Sequence, residues 1–459
     1  MTKTHKIVFL IITILLVFSC TSKSNTFQKV NYKGIERVLH LLNTSNEINR
    51  NKVNILFYGQ SIIGGLKSDI LIDSLKKRFP FANIKHKNKA IGGFTLPSII
   101  KTAEHDLYTE NPDLIIFHGY DGIKDGLFDS LVYNVRSKLN SDILLFDHHY
   151  VWDKPESRLE MINKSHDFDS DAIKKIAKKY NCEFVNVREQ WKNHLISNNI
   201  EPNTLMGNTI DPNVHPNDKG NVLLRSILLR AFQKNNQDIN YNVNNDALRD
   251  EILLEDNSKE FIISSLANRL SLETDRRYNK GAKVEVLING KKPSQIQSNY
   301  TIARPSKGFK TWMPAVKNIS FGKVFPQEEF WKIKIFEINR DKQSFKFILT
   351  GSKTGFDGEG NSQSNFASNS GRIIINKEDW NIFQIEKITK ATTPESFEIK
   401  FDVVLLVNDV LTLERKTSKY LLFRGDKTEN IKLKLKVIDG KPKLKMIQVS
   451  RPYIDNLNS

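Results

Sequence analysis

Cysteine is almost missing from this chain, with Cys20 and Cys182 the only two among 459 residues. They could form one disulfide at most, and none if Cys20 is consumed during export, so a disulfide-stapled scaffold is excluded. Also missing is any long block of consecutive Lys and Arg, or an Arg-rich helix interleaved with aromatics, the usual footprint of nucleic-acid binding. No internal repeat of fixed period runs through the chain, and only residues 7–18 form a long apolar stretch.

What is present describes an ordinary folded protein. Hydrophobic residues make up 39% and charged residues 26%, a balance that excludes a disordered chain. The formal net charge of +17 fits either a preference for anionic partners, such as uronate-rich glycans or phosphate headgroups, or a Lys- and Asn-rich surface set by genome composition. A chain of this length exceeds one hydrophobic core, which implies two or three domains.

The N-terminus carries Lys3 and Lys6, then the apolar residues 7–18, then Ser19-Cys20. A run of about twelve residues falls short of the roughly twenty needed for a helix to span a bilayer, so a cleaved signal fits better than a permanent span. A small residue directly before a cysteine resembles a bacterial lipoprotein cleavage site. Residues 1–20 then read as a signal peptide, with Cys20 as the lipid-bearing first residue of the mature chain and an anchor to the cell-envelope membrane. An ordinary secretory signal is the alternative. No acidic cluster follows Cys20 to direct the protein to the outer surface. Residues 21–48 read as a polar tether containing a short amphipathic stretch at 35–42.

From residue 49 to 235, apolar runs at 53–58, 113–117, 142–146 and 183–187 alternate with helix-period segments at 62–78, 125–139, 169–179 and 219–233. That alternation predicts an α/β domain with a parallel sheet covered on both faces. Cys182, at a helix end entering the last of these runs, reads as a buried free thiol. Residues 236–281 read as a linker or connecting segment: they open on an Asn-rich stretch, and 251–272 allows either a helix or a first strand. From 282 to 459, short runs at 284–288, 331–338, 344–349, 372–375, 397–406 and 432–437 are bounded by turn signals. Their spacing predicts an all-β sandwich of jelly-roll type.

Acyl transfer needs a nucleophile on a rigid element, a base within reach, and N–H donors aimed at the developing oxyanion. Ser61 follows the first strand directly, behind Gly59-Gln60 and ahead of a helix, a position that exposes its hydroxyl and offers its N–H to an anion. Asn88-Lys89-Ala90-Ile91-Gly92-Gly93 follows the second strand region, where a glycine permits close approach of a backbone N–H to a reacting carbon. Asp211-Pro212-Asn213-Val214-His215-Pro216-Asn217 precedes the last helix; His215 is placed to act as a base, with Asp211 able to orient it.

Taken in order, Gly59-Gln60-Ser61, Asn88 through Gly92-Gly93, Gly119-Tyr120-Asp121-Gly122, and Asp211 through His215-Pro216-Asn217 resemble the four sequence blocks of the SGNH/GDSL hydrolases, over about residues 50–235. The resemblance implies a flavodoxin-like three-layer domain that hydrolyses carboxylic esters, commonly acetyl groups on carbohydrates or acyl chains on lipids, without a metal or other cofactor. It implies Ser61 as nucleophile, His215 as base, and the N–H groups of Ser61 and Gly93 in the oxyanion hole. Gln60, in place of the usual Asp, looks like several carbohydrate esterases. Two positions depart from the family pattern. Where the third block usually offers an Asn amide to the oxyanion, this chain has Tyr120 followed by Asp121. A phenol can donate, but from farther out than an amide, and losing one such donor costs about a hundredfold or more in rate. The family acid stands three residues before the histidine, which here is Pro212; Asp211 stands four before. Either Asp211 completes a Ser–His–Asp triad, or Ser61 and His215 act as a dyad aided by a backbone carbonyl.

Three other features carry possible chemistry. Asp147-His148-His149 looks like a metal site on paper, but adjacent histidines diverge on an extended chain, so lining of the substrate cleft is expected instead. Residues 355–362 alternate Gly with acidic residues, which suits calcium or simple loop packing, without the length and final Glu of an EF-hand. Trp312, Trp331 and Trp380 read as sandwich core or as sugar-stacking platforms. Together these observations predict an envelope esterase that removes acetyl or similar groups from an acylated glycan. The alternatives are a lipid acyl hydrolase, against which the lack of a long apolar lid counts, and a catalytically degenerate glycan-binding lipoprotein.

Overall fold

A computed structural model describes residues 26–27, 30–151, 156–207, 214–255 and 258–455. Cys20 and Asp211 lie outside the described residues. Among those described, no helix is long and apolar enough to cross a membrane.

The first part of the chain builds a layered α/β unit. Helix α1 (Glu36–Asn43) precedes strand β1 (Lys52–Gly59), which is followed by α2 (Ser61–Gly65), α3 (Ser68–Arg78), β2 (Asn83–Asn88), α4 (Leu96–Asp106), β3 (Leu114–His118), α5 (Leu127–Lys138), β4 (Asp142–Phe146), α6 (Glu156–Lys179), β5 (Glu183–Val185), α7 (Val187–Ser197) and α8 (Asp218–Arg230). The five strands are all parallel, in the order β2-β1-β3-β4-β5. Every residue of β3 and β4 is buried, as expected of central strands with helices on both faces. In β1 the side chains alternate. Val53, Ile55 and Phe57 join the core beneath α1, α3 and α8, while Leu56 and Tyr58 join the core under α4 and α5. The stretch at 35–42, expected within a tether, belongs to the first of these cores through Ile35, Val38, Leu39 and Leu42. Its helix is tied to the sheet by the Arg37–Asp113 ion pair at 2.9 Å and by the Val38 N–H donating to Asp142.

The remainder is antiparallel β-structure. Strands β6 (Arg249–Leu253), β7 (Glu260–Asp275), β8 (Lys283–Ile288), β17 (Val410–Thr412), β18 (Lys419–Asp439) and β19 (Lys443–Ser450) form a six-stranded sheet, in the order β17-β8-β18-β7-β19-β6. The undecided stretch at 251–272 therefore falls on two strands, β6 and β7, which tie the connecting segment into the same sheet as residues beyond 410. Between β8 and β17 the chain makes a second β unit with its own core, around Trp331, Phe347, Phe401 and Ile333. It contains a five-stranded sheet of β9 (Tyr300–Ile302), β11 (Glu329–Asn339), β12 (Ser344–Gly351), β13 (Gly355–Asn361) and β16 (Glu398–Leu405). A smaller sheet holds β10 (Ser320–Phe321), β14 (Phe366–Ala367) and β15 (Ile373–Ile375), and helix α9 (Ile382–Thr389) lies beside them.

This inserted unit docks on the α/β unit next to the second strand and α4. Met313 and Ile385 complete the core under α4. Arg304 forks onto Asp106 at 2.6 and 2.7 Å, and Lys101 reaches Asp379 at 2.6 Å. The His105 ring bonds the Ile302 carbonyl at 2.8 Å.

Candidate active site

Strand β1 delivers Ser61 to the carboxyl edge of the sheet. Gly59, its last residue, has φ +145°, and a Cβ there would lie 2.4 Å from the His118 carbonyl oxygen. Only glycine lets the ends of β1 and β3 close up at this point. The buried Gln60 then turns the chain into α2. Its side-chain oxygen accepts from the Ile62 N–H at 2.7 Å, capping that short helix, and from the Ser61 hydroxyl at 3.0 Å. Ser61 is the first residue of the helix, so its N–H has no intrahelical acceptor.

His215 comes to the same point from 154 residues further along, with Nε2 2.8 Å from Ser61 Oγ. Its loop is pinned on both sides. Its own carbonyl accepts from the Gly207 N–H at 2.8 Å. Asn217 caps α8 by accepting from the Gly220 N–H at 3.0 Å, and donates to the carbonyls of Thr204 and Met206. Gly220 has no room for a side chain, since a Cβ would lie 2.2 Å from the Leu205 oxygen. Burial of the His215 ring lowers its pKa below the ordinary 6.5. The imidazole is then neutral near pH 7, and Nε2 is free to take a proton. The single hydroxyl hydrogen of Ser61 thus has two acceptors within reach, Gln60 Oε1 and His215 Nε2.

The Gly92-Gly93 turn closes the third side. A Cβ on Gly92 would be 3.8 Å from Ser61 Cβ, and Gly93 has φ +83°, a conformation that favours glycine. Among the described residues neither the Ser61 nor the Gly93 N–H is engaged. The inserted β unit grips this turn from outside: Arg304 donates to the Lys89 carbonyl at 3.0 Å, and Trp312 Nε1 to the Gly92 carbonyl at 2.7 Å. Met313 Sδ and an Ile388 methyl lie against Gly93.

Tyr120, expected as a third oxyanion donor, has its hydroxyl 2.7 Å from His166 Nε2. Burial pushes its phenol pKa up to about 12. Asp121 has φ +63° and is exposed, with its carboxylate accepting from the Gly122 N–H.

Behind Gln60 lies a buried polar layer that the motif pattern did not single out. Gln60 Nε2 donates to His118 Nδ1 at 2.8 Å, and His118 Nε2 faces His148 Nδ1 at 2.9 Å. His148 Nε2 stands 3.5 Å from Asp169. With Gln60 as donor, Nδ1 of His118 must accept, so Nε2 carries its hydrogen and donates to His148. Burial holds His118 well below the ordinary imidazole pKa. Asp147, His148 and His149, expected in the cleft, are all buried beneath it. Asp147 accepts from the Arg188 N–H at 3.0 Å and from Ser170, and the His149 ring hydrogen-bonds the backbone of Val214, next to His215. Besides the Asp147-His148-His149 run, the signal available was the histidine ending the apolar strand Leu114-Ile115-Ile116-Phe117-His118. Among the described residues no group of three or more His, Cys, Asp or Glu side chains is arranged to hold a metal ion.

No family model matches the chain, and no curated protein matches it. Among solved structures it is similar to Axe2, an acetylxylan esterase from Geobacillus stearothermophilus, at 19% identity over 40% of this chain and 94% of that one, with a TM-score of 0.34. It is also similar to an acetyl xylan esterase, AlAXEase, at 20% identity over 39% of this chain and 99% of that one, with a TM-score of 0.32.

Proposed function

We propose that this chain is a serine esterase of the SGNH/GDSL kind that removes acetyl or similarly short acyl groups from a glycan of the bacterial cell envelope. The observation that carries the proposal is the 2.8 Å contact between Ser61 Oγ and His215 Nε2 at the carboxyl edge of the parallel sheet. The strand order β2-β1-β3-β4-β5 is that of a flavodoxin-like sheet and supports the same reading.

In the proposed reaction His215 Nε2 takes the Ser61 hydroxyl proton as Oγ attacks the ester carbonyl carbon. The N–H groups of Ser61 and Gly93 receive the charge that develops on the carbonyl oxygen. His215 then gives its proton to the departing sugar hydroxyl, and an acyl-Ser61 ester remains. Water enters and loses a proton to the same nitrogen as its oxygen attacks the acyl carbon; His215 then returns that proton to the departing Ser61 Oγ, and the carboxylic acid is released. Tyr120 can supply a third donor in the tautomer in which His166 Nε2 donates to its oxygen and leaves the hydroxyl hydrogen free. Asp211 is proposed to orient His215 from the segment before it. Residues 36–235 are proposed as the hydrolase domain, since α1 shares its core, and residues 249–455 as the accessory β region, since β6 and β7 share a sheet with β18 and β19. Cys20, as the lipid-bearing residue, would hold the enzyme at a membrane.

The experiment compares hydrolysis of nitrophenyl acetate and release of acetate from acetylated glycans by the wild-type protein and Ser61→Ala. A loss of at least about a thousandfold in the variant is expected. Equal activity of the two proteins overturns the proposal.

A further inference from the structure

Three of the chain's tryptophans were candidates for either core or sugar platform, and the structure separates them. Trp331 is fully buried and stacks on Phe401 at 6.1 Å, and Trp380 packs against Phe345 and Phe347. Trp312 is 52% exposed, far more than a ring used only for packing requires.

Its place is the important point. The residue belongs to the inserted β unit, yet its Nε1 donates to the Gly92 carbonyl at 2.7 Å. A Cβ on Gly92 would lie 3.3 Å from Trp312 Nε1 and 3.8 Å from Ser61 Cβ, so the indole and the nucleophile flank the same glycine. The ring is also held still. One bond fixes its polar edge, and the next residue, Met313, is fully buried in the core under α4. Arg304, in the same segment, grips both Asp106 and Lys89. A large aromatic surface that is exposed, immobilised and adjacent to a nucleophile meets the requirements of a binding platform, because little ordering remains to be done when a ligand arrives.

Resting on the esterase reading above, we infer that Trp312 forms a sugar-stacking subsite beside Ser61. On this inference the inserted β unit is part of the active site: the pyranose ring that carries the acyl group, or its neighbour, lies on the indole face while the ester points at Ser61. The apolar C–H face of a pyranose suits an indole, and the polar edge of the ring is already satisfied by Gly92.

The test separates the indole's surface from its N–H. Trp312→Ala removes both, whereas Trp312→Phe keeps an aromatic face and loses only the bond to Gly92. Affinity for O-acetylated oligosaccharide fragments of peptidoglycan, a glycan of the bacterial cell envelope, is measured in the Ser61→Ala background, where no turnover interferes. Trp312→Ala should weaken binding about tenfold or more, the scale of a buried aromatic anchor, while Trp312→Phe recovers most of it. Hydrolysis of nitrophenyl acetate in the Ser61 background should fall by the same factor in both variants, since both lose the Gly92 bond. The inference is overturned if Trp312→Phe binds the oligosaccharide no better than Trp312→Ala, if neither differs from the parent, or if the parent does not bind it. Failure of the esterase reading looks different: wild-type protein would neither hydrolyse nitrophenyl acetate nor react with a fluorophosphonate, whatever the binding results.

Discussion

Ser61 is contacted from two sides, by two histidine systems of opposite character. On the open side stands His215, half-buried, on a loop pinned by Asn217 and by the Gly207 N–H, with its Nε2 on the serine hydroxyl. On the closed side Gln60, His118 and His148 form a line of buried hydrogen bonds toward Asp169. The first system can change its protonation state during a reaction because one face reaches solvent. The second cannot do so cheaply, because burial penalises the charged form and each ring nitrogen of His118 already has a partner. In the proposed reaction the same side chain serves as a proton carrier in one place and as a fixed donor–acceptor in the other, and exposure decides which.

The largest expected effect lies on the open side. His215→Ala should lower kcat/KM for nitrophenyl acetate by about a thousandfold or more, because no other described group touches Ser61 Oγ with a free basic nitrogen. His215→Ala retaining more than a tenth of wild-type activity would reverse the assignment of the two sides.

That contrast also marks what the sequence could reveal. Ser61, the Gly92-Gly93 turn and His215 were legible because each sits where a strand ends or a helix begins, next to glycine or proline that the turn geometry demands. The alternating apolar runs were enough for the parallel sheet, since central strands such as Leu114–His118 must be apolar throughout. The closed side was not legible. His118, His166, Asp169 and Arg188 are scattered over 70 residues and meet only through packing. The grip of Arg304 and Trp312 on the Gly92-Gly93 turn was hidden for the same reason, since the two partners lie 215 and 220 residues apart from the carbonyls they bind. The interrupted six-stranded sheet was equally hidden, because no local pattern reports that β8 and β17 pair across an inserted unit.

A smaller effect is expected on the closed side. His118→Phe keeps an aromatic ring, somewhat larger than the imidazole, but leaves Gln60 Nε2 and His148 Nδ1 without partners, at a cost of about 1–3 kcal/mol for each buried polar atom. The midpoint of urea unfolding should fall accordingly. Gln60, no longer held, can release Ser61, so kcat should drop about tenfold with little change in KM. His118 is a positioning residue on this account, acting only through Gln60. A variant with lowered stability and unchanged kcat would reduce its role to packing.

The smallest effect is a shape rather than a loss. The base must be neutral to accept the Ser61 proton, and burial lowers the His215 pKa below the ordinary 6.5. A lowered folded-state pKa means the neutral form persists to more acid pH than in a free imidazole. Activity should therefore be at its plateau at pH 7 and fall on acidification with a midpoint under 6.5. His118, His149 and His166 on the closed side do not contribute to this limb. His149 is lowered to about 3 and His166 to about 2, chiefly by burial, and His118 well below its ordinary value. A plot of log kcat/KM against pH should accordingly have unit slope on its acid side, one proton and no more. His118→Phe should leave that midpoint where it is even as it lowers the plateau. A slope near two, or a midpoint that moves in His118→Phe, would mean that the two sides of Ser61 titrate together and that the division between carrier and scaffold is drawn in the wrong place.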